Sequence, residues 1–266
     1  MRPMEWRPTI LYALSRSRNI FLAFLCTFFA LAAALRAKLG DGPTASSIHG
    51  GANANEGSES AMADIVAYNA LALVFAVSSG VLGLRAWLGP ASDIGGSPMS
   101  RMYAPCAKTE SLCVLTAGYE LFNLIGVVVL PEYRSLAFVG HHATTFLLGI
   151  MSLHPWCHYY SSFFFGVASV SSIPLCLGEL LAAAALPQLA ELCKPPFVLL
   201  FLALRTAYWP YVSIAFWEDS LWALSKPRER VHAMSAYITL LSANIFLTTL
   251  QFVWTHQIVT AIGEML

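Results

Sequence analysis

Two adjacent histidines, His141 and His142, are the residues of this chain whose type and position best suit them to chemistry. They lie in the apolar segment GHHATTFLLGIMS, in which His141, Thr145, Gly149 and Ser152 follow one another at intervals of four, four and three residues. This spacing places the four on one helical face, with His142 about 100° away. One histidine of such a pair can act as a general base or nucleophile while the other stabilises charge. Hydrogen bonding of both rings to neighbouring helices is the alternative interpretation.

A carboxylate and an amide lie in the apolar segment that precedes the histidines. Glu120 and Asn123 are three residues apart, so they share a helical face. A carboxylate inside an apolar helix needs a partner, because its desolvation costs several kcal/mol. The candidate partners are one of the two histidines and Arg205, which lies deep in a later apolar segment. Such a pair would either tune an imidazole for acid–base work or lock the helices together.

The last apolar segment carries a stripe of polar side chains at helical spacing. Such stripes face the interior of a helix bundle, where they bond across helices or line a polar cavity, and bonding across helices is the commoner explanation. The residues of this stripe are Tyr237, Asn244, Thr248, Gln251 and Thr255.

The elements that carry these residues are suited to a bilayer rather than to water. The 266 residues are 57% hydrophobic and only 11% charged, whereas soluble domains average about 25% charged residues. The sequence therefore predicts an all-α polytopic membrane protein with about seven transmembrane helices, because a helix needs about 20 apolar residues to cross the hydrocarbon. The predicted spans are 19–36, 64–88, 111–130, 136–153, 158–182, 196–222 and 232–259.

The polar segments between the spans suggest the domain boundaries and the orientation. Residues 1–38 form a basic segment with the first transmembrane helix, 39–63 a flexible polar loop, 64–259 a six-helix membrane domain and 260–266 a short tail. The loop 89–110 is predicted to be similarly flexible. Ten of the fourteen Lys and Arg residues that flank the apolar cores of the spans lie on the side of the N-terminus, which predicts that this side faces the cytoplasm.

Charge, cysteine spacing and absent motifs exclude several classes of function. The net charge is zero, which disfavours nucleic-acid binding, and the six cysteines contain no CxxC pair. No metal is expected, because Pro155 interrupts the HPWCH segment that begins at His154 and no acidic ligand adjoins it. The motifs GxSxG, GxxxxGK[ST] and GxGxxG are also absent, so the sequence gives no support for a serine hydrolase, a P-loop enzyme or a dinucleotide site.

Four segments occur in an order and at spacings that are similar to those of a known family. They are GYELFNL at 118–124, the histidine pair, SSIPL at 171–175 and LALRTAYWPY at 202–211. Residues 64–259 thereby resemble the TLC-domain family, the membrane domain shared by translocating-chain-associating proteins, ceramide synthases and several lipid-homeostasis proteins. The resemblance implies a ring of six helices around a central cavity open to lipid, with one additional N-terminal helix. It also makes the histidine pair the candidate centre.

The resemblance to ceramide synthases in particular covers only the opening of their histidine motif. HHATTFLLGIMS reproduces that opening, but the later Asn, Arg and Leu-His-Asp-x-x-Asp elements have no counterpart after Ser152, and Asn123 stands where the family often has Asp. The expected function is therefore sphingolipid or acyl-chain binding or homeostasis without catalysis. Two alternatives remain open. One is an accessory subunit of a larger membrane complex, and the other is an acyl-CoA-dependent acyltransferase of ceramide-synthase type that uses the histidine pair.

These inferences define one candidate site between the third, fourth and sixth spans. No cofactor or metal is expected, apart from a bound lipid or acyl-CoA. The expected partners are membrane lipids, with other membrane-protein subunits as the alternative and no nucleic acid, and the endoplasmic reticulum is preferred to an organelle inner membrane. The candidate catalytic residues are His141 and His142, and the lipid-binding candidates are Glu120, Asn123, Thr145, Arg205, Asn244, Thr248 and Gln251.

Overall fold

The computed structural model describes residues 6–40, 52–153 and 156–264. Within these ranges the chain is helical and has no strand, which confirms the predicted all-α class. We number seven long helical segments in chain order, and between them lie short helices named by their residues. The seven are α1 Trp6–Gly40, α2 Ala52–Trp87, α3 Ala107–Val129, α4 Leu136–Met151, α5 His158–Ala183, α6 Pro187–Ser225 and α7 Met234–Gly263.

Six of the seven helices are long and apolar enough to cross a membrane, and α4 is the exception. Its 16 residues give a length of about 24 Å, which is shorter than the hydrocarbon core of about 30 Å. The helix starts abruptly because Ser135 caps it, accepting a hydrogen bond from the backbone N–H of Phe138 at 3.1 Å. Length and composition together confirm a polytopic membrane protein whose fourth segment is a short apolar helix.

The long helices close a ring. Going round it, α2 packs against α3, α3 against α4, α4 against α7, α7 against α6, α6 against α5, and α5 returns to α2. The first helix, α1, lies beside this ring and packs mainly against α2 and α3. The one-plus-six arrangement that the resemblance implied is therefore the arrangement of the described residues.

Helices α2 and α5 approach each other very closely in the ring. A Cβ atom built on Gly83 would lie 2.2 Å from the Cα of Gly166, and one built on Gly166 would lie 2.2 Å from the Cα of Gly83. Only two glycines facing each other allow this backbone separation. The pair thus sets how tightly the two helices cross.

The predicted flexible loop 39–63 needs correction over its second half. Helix α2 begins at Ala52 and not near residue 64, while residues 41–51 lie outside the described residues. No proline occurs between Ala52 and Trp87, and Ala and Glu favour the helical state, so α2 extends beyond its apolar stretch.

The loop 89–110 also differs from the predicted flexible link. It contains the helices Pro90–Asp93 and Pro98–Tyr103, the second of which is capped reciprocally by Ser97 and Ser100. Arg101 then fixes this segment to α6, as described below. The sequence composition indicated flexibility because it does not reveal this distant partner.

The predicted sixth span also begins earlier than expected. Helix α6 starts at Pro187 instead of residue 196, and Pro195 and Pro196 lie inside its first part, Pro187–Phe201. Proline at the first position of a helix is favourable because that N–H has no helical partner. The connection between α5 and α6 is consequently very short.

Candidate functional site

The ring encloses a central cavity of about 580 Å³. Its wall contains side chains from α2 to α7 and is rich in aromatic rings. Three of the lining residues, Leu175, Glu179 and Gln257, are also exposed on the surface. They lie near the C-terminal ends of α5 and α7, so the cavity reaches the outside near that end of the bundle.

A hydrogen-bonded chain crosses from α4 through α3 to α2 at the cavity wall. Glu120 Oε2 pairs with Nδ1 of His142, and Asn123 Nδ2 donates to the same carboxylate oxygen at 3.1 Å. The hydroxyl of Tyr68 donates to Asn123 Oδ1 at 2.8 Å. Of the two histidines that the sequence offered as partners of Glu120, His142 is therefore the one that binds it. Because Nδ1 is engaged by the carboxylate, Nε2 is the ring nitrogen left for a ligand.

His141 lines the same cavity but takes no part in this chain. Its ring makes edge contacts with His142 and with Trp254 of α7, at centroid distances of 4.9 and 5.4 Å. Its Nδ1 is buried and has no hydrogen-bond partner in the part of the chain that the structure describes. A buried nitrogen without a partner is costly, and a polar ligand atom in the cavity would satisfy it.

Arg205 enters the cavity from an irregular stretch of α6. Residues Leu202–Tyr208 form a π-helix, and Pro210, two residues further on, cannot donate a backbone hydrogen bond. The guanidinium donates from Nε to Ser171 Oγ at 2.8 Å and from Nη2 to Ser172 Oγ at 3.1 Å. The guanidinium does not pair with Glu120. Of the two partners that the sequence offered for this carboxylate, a histidine and Arg205, the structure therefore shows the histidine.

The polar stripe of α7 bonds mainly to α6. Trp209 Nε1 donates to Thr248 Oγ1 and Trp217 Nε1 donates to Asn244 Oδ1, both at 2.9 Å. Gln251 is fully buried, and its Oε1 lies 3.4 Å from Nη1 of Arg205. Asn244 also lines the cavity, whereas Thr248, Gln251 and Asn123 are not among the described residues of its wall. These three residues instead form hydrogen bonds to side chains that line the cavity.

The helical face predicted for α4 does point inward. Thr145 and Ser152 line the cavity together with His141, and the Thr145 hydroxyl donates to the His141 carbonyl at 2.9 Å. Leu147 is 45% exposed and points away from the cavity, as its place on the helix predicts.

The HPWCH segment has a structural role in its described part, while His154 and Pro155 lie outside the described residues. His158 Nδ1 accepts from the backbone N–H of Cys106, and its Nε2 donates to the Ser152 carbonyl, each at 2.9 Å. Burial raises the pKa of the Cys157 thiol well above its ordinary value, as expected for a small buried hydrophobe.

Two groups of residues that the sequence analysis did not select also belong to the site. Tyr160 lines the cavity and donates to Asp219, which in turn binds Arg101 bidentately at 2.6 and 2.7 Å. Hydrogen bonding to Asp219 raises the pKa of Arg101 above its ordinary value. Glu120 was selected because it is an acidic residue within a predicted span. Asp219 is also an acidic residue within a predicted span, so the same criterion would have selected it. Ser171 and Ser172 stood in the SSIPL segment, but their type gave no sign that they bind Arg205.

A family model described as TLC domain matches residues 66–260. This range agrees with the predicted membrane domain 64–259 and includes all the residues of the cavity wall. No curated protein and no solved structure matches the chain.

Proposed function

The chain belongs to the TLC-domain family, and we propose on that basis that it binds the acyl chain of a membrane lipid in its central cavity. The observation that carries this proposal is the cavity of about 580 Å³ with an aromatic and aliphatic wall. Ligand sites in proteins typically have volumes of about 300–1,000 Å³ and a few polar groups on a mainly apolar wall. The cavity matches that description.

The arrangement of the intramembrane charges favours lipid binding over a purely structural subunit. In a subunit whose polar residues only hold helices together, Glu120 and Arg205 would be expected to bond to each other across a filled centre. Instead each lines the cavity and has different partners, His142 for the carboxylate and two serines for the guanidinium. Polar groups that face such a space are available to a lipid headgroup.

A tryptophan placed in the cavity wall tests the proposal. Leu175 lines the cavity and Leu177 does not, yet both lie on α5 and are similarly exposed, at 40% and 37%. We expect Leu175→Trp to reduce the lipid that copurifies with the protein by at least about threefold, because the larger side chain occupies acyl-chain volume. Leu177→Trp is the matched control and should retain the wild-type amount.

Lipid per protein is measured by mass spectrometry after purification in an uncharged detergent, with size-exclusion chromatography as the check on folding. Equal lipid content in the two folded variants would contradict binding in the cavity. So would wild-type protein that carries no lipid and takes up none from added vesicles.

Acyl transfer is the second candidate function, and the position of the histidine pair favours it. Both rings line the cavity, and Glu120 orients His142 through Nδ1. One histidine would take the proton of an attacking amine or hydroxyl and pass it to the departing thiolate of an acyl-CoA. The other would donate to the developing oxyanion.

Replacing both histidines separates the two functions. The variant His141→Ala/His142→Ala should lose acyl transfer altogether while it keeps most of the bound lipid, provided that it remains folded. Acyl transfer is measured with a radiolabelled acyl-CoA and a sphingoid base. Activity that persists at the wild-type rate in the double variant would remove the catalytic role.

The location in the endoplasmic reticulum is part of the same proposal. It follows from the resemblance and not from the fold, since a multi-pass bundle suits several membranes. A fluorescent fusion that coincides with a marker of another organelle would contradict it.

A further inference from the structure

Arg205 is a membrane-embedded cation whose described partners are all neutral. Its guanidinium contacts the hydroxyls of Ser171 and Ser172 and the amide oxygen of Gln251. No carboxylate in the described part of the chain forms an ion pair with it within 4.0 Å. Since arginine scarcely loses its proton, this position holds a positive charge in a low-dielectric environment.

The carboxylates on the cavity wall do not balance this charge. Glu120 is bound to His142 and Asn123. Glu179 lines the cavity as well, but it is exposed near the open end and forms no described ion pair with Arg205. A buried charge is stabilised by an opposite charge with good hydrogen-bond geometry, and among the described residues no carboxylate supplies that charge to Arg205.

The guanidinium is held in a fixed position for such a partner. Ser171 accepts from Nε while its own hydroxyl donates to the Ala168 carbonyl at 2.8 Å, so the proton of this serine is already used. Ser172 accepts from Nη2 and donates no described hydrogen bond, which leaves its proton for a ligand oxygen. Planar donors in a fixed orientation suit an oxyanion such as a carboxylate or phosphate.

His141 and Arg205 contact nearby residues of α7. On α7, Gln251 contacts Arg205 and Trp254 contacts the His141 ring, and these two α7 residues are three positions apart on one face. The unpartnered Nδ1 of His141 and the unbalanced charge of Arg205 therefore belong to one polar region of an otherwise apolar wall.

We propose that the cavity takes an amphiphile with an acyl chain and an anionic headgroup, and that Arg205 binds the carboxylate or phosphate of that headgroup. The inference rests on the proposed lipid-binding function and adds the charge of the ligand to it. It distinguishes anionic amphiphiles from neutral and cationic ones of the same chain length.

Four probes with sixteen-carbon chains test the headgroup: palmitate, palmitoyl lysophosphatidic acid, hexadecanol and hexadecylamine. Each competes with radiolabelled palmitate for the purified full-length protein in an uncharged detergent. We expect the two anions to compete at concentrations at least about tenfold lower than hexadecanol or hexadecylamine. If palmitate is the stronger of the two, the headgroup is a carboxylate, and if lysophosphatidic acid is stronger, it is a phosphate.

Variants of Arg205 test the residue. Arg205→Gln should weaken palmitate binding about 10- to 100-fold, the range expected for hydrogen bonds to a charged group, and should change hexadecanol binding by less than about threefold. Arg205→Lys keeps the charge without the planar donors and should retain a preference for anions. Arg228→Gln, at an exposed arginine outside the spans, is the matched control and should bind as the wild type does.

The outcomes separate this inference from the function on which it rests. Equal competition by palmitate and hexadecanol would overturn the anionic headgroup while leaving lipid binding in place. Failure of all four probes, together with the absence of copurified lipid, would overturn lipid binding itself. Should Arg205→Gln not fold, Arg205→Lys decides, because loss of its preference for anions would contradict the role of the charge.

Discussion

At the scale of single residues, the site is organised by how each intramembrane charge is compensated. Glu120 and His142 are both largely buried, with side-chain exposures of 4% and 12%, and they bind each other. Arg205 has hydroxyl and amide partners only. Removing one member of a buried pair leaves a polar group without its partner, whereas an unbalanced cation is the basis of the anionic ligand proposed above.

Removing one member of the buried pair should therefore be costly. We expect Glu120→Ala to lower the free energy of unfolding by about 3 kcal/mol, because it leaves His142 and Asn123 without their common acceptor. Unfolding is followed in mixed detergent micelles. Glu191→Ala, which removes an exposed carboxylate paired with Lys194, is the control and should change stability by no more than about 0.5 kcal/mol.

The double variant Glu120→Ala/His142→Ala shows whether the two residues act as a pair. Its loss of stability should be smaller than the sum of the two single losses, since each single variant already breaks the same contact. Strict additivity would show that the contact between them contributes nothing.

At the scale of elements, small residues and irregular turns decide how the helices meet. Gly83 and Gly166 let α2 and α5 approach until their backbones touch. The π-helix Leu202–Tyr208 lies in the middle of α6 and carries Arg205 at the cavity. Such insertions often occur at functional sites because they redirect a side chain without ending the helix.

A methyl group at the α2–α5 crossing should separate the two helices. Gly83→Ala places a Cβ 2.2 Å from a backbone atom, which is far inside van der Waals contact and cannot be relieved by a side-chain rotation. We expect it to destabilise the protein by about 3 kcal/mol.

The control for this substitution is Gly96→Ala, where a Cβ would meet no atom within 4 Å. It should leave the midpoint of thermal unfolding in detergent within a few degrees of the wild type. If both variants melted at the wild-type temperature, the close crossing of α2 and α5 would be refuted.

At the scale of the whole molecule, ion pairs connect the ends of the apolar spans on both sides of the bundle. Arg16 of α1 pairs with Glu110 at the start of α3, and Arg36 near the end of α1 pairs with Asp64 of α2. Helices α1 and α3 thus start on one side, and α2 starts on the other. This alternation is the one on which the predicted orientation depends.

Cysteine labelling from one side of the membrane tests that orientation. We expect Ser92→Cys and Arg228→Cys to react with an impermeant maleimide from the cytoplasmic side, and Lys194→Cys to react only from the opposite side. All three positions are exposed. Exposed native cysteines are replaced by serine beforehand.

The count of crossings depends on the same experiment. If the Ser92 and Lys194 positions react from the same side, an odd number of the predicted crossings between them does not span the bilayer. The simplest explanation would be that the short α4 does not cross it. Reaction of the Ser92 and Arg228 positions only from the side opposite the cytoplasm, together with reaction of the Lys194 position from the cytoplasmic side, would instead invert the orientation.

The sequence by itself determined the local properties of this protein. Apolar length located the spans, since crossing a bilayer depends on consecutive residues. Helical spacing placed His141, Thr145 and Ser152 on one inward face. The pairing of Glu120 with a histidine could also be predicted from the sequence, because a short connection joins α3 and α4 and makes them neighbours.

Only the tertiary structure decided which distant residues meet. Arg101 binds Asp219 across 118 positions of sequence and Tyr68 reaches Asn123 across 55, while Arg205 meets two serines and not Glu120. Helical periodicity gives the face of a residue relative to its own helix, but not the order of helices in the ring or their rotation and depth. Those are fixed by the packing of all the helices together, including the contact of Gly83 with Gly166, so the cavity and its unbalanced cation emerge only when the ring closes.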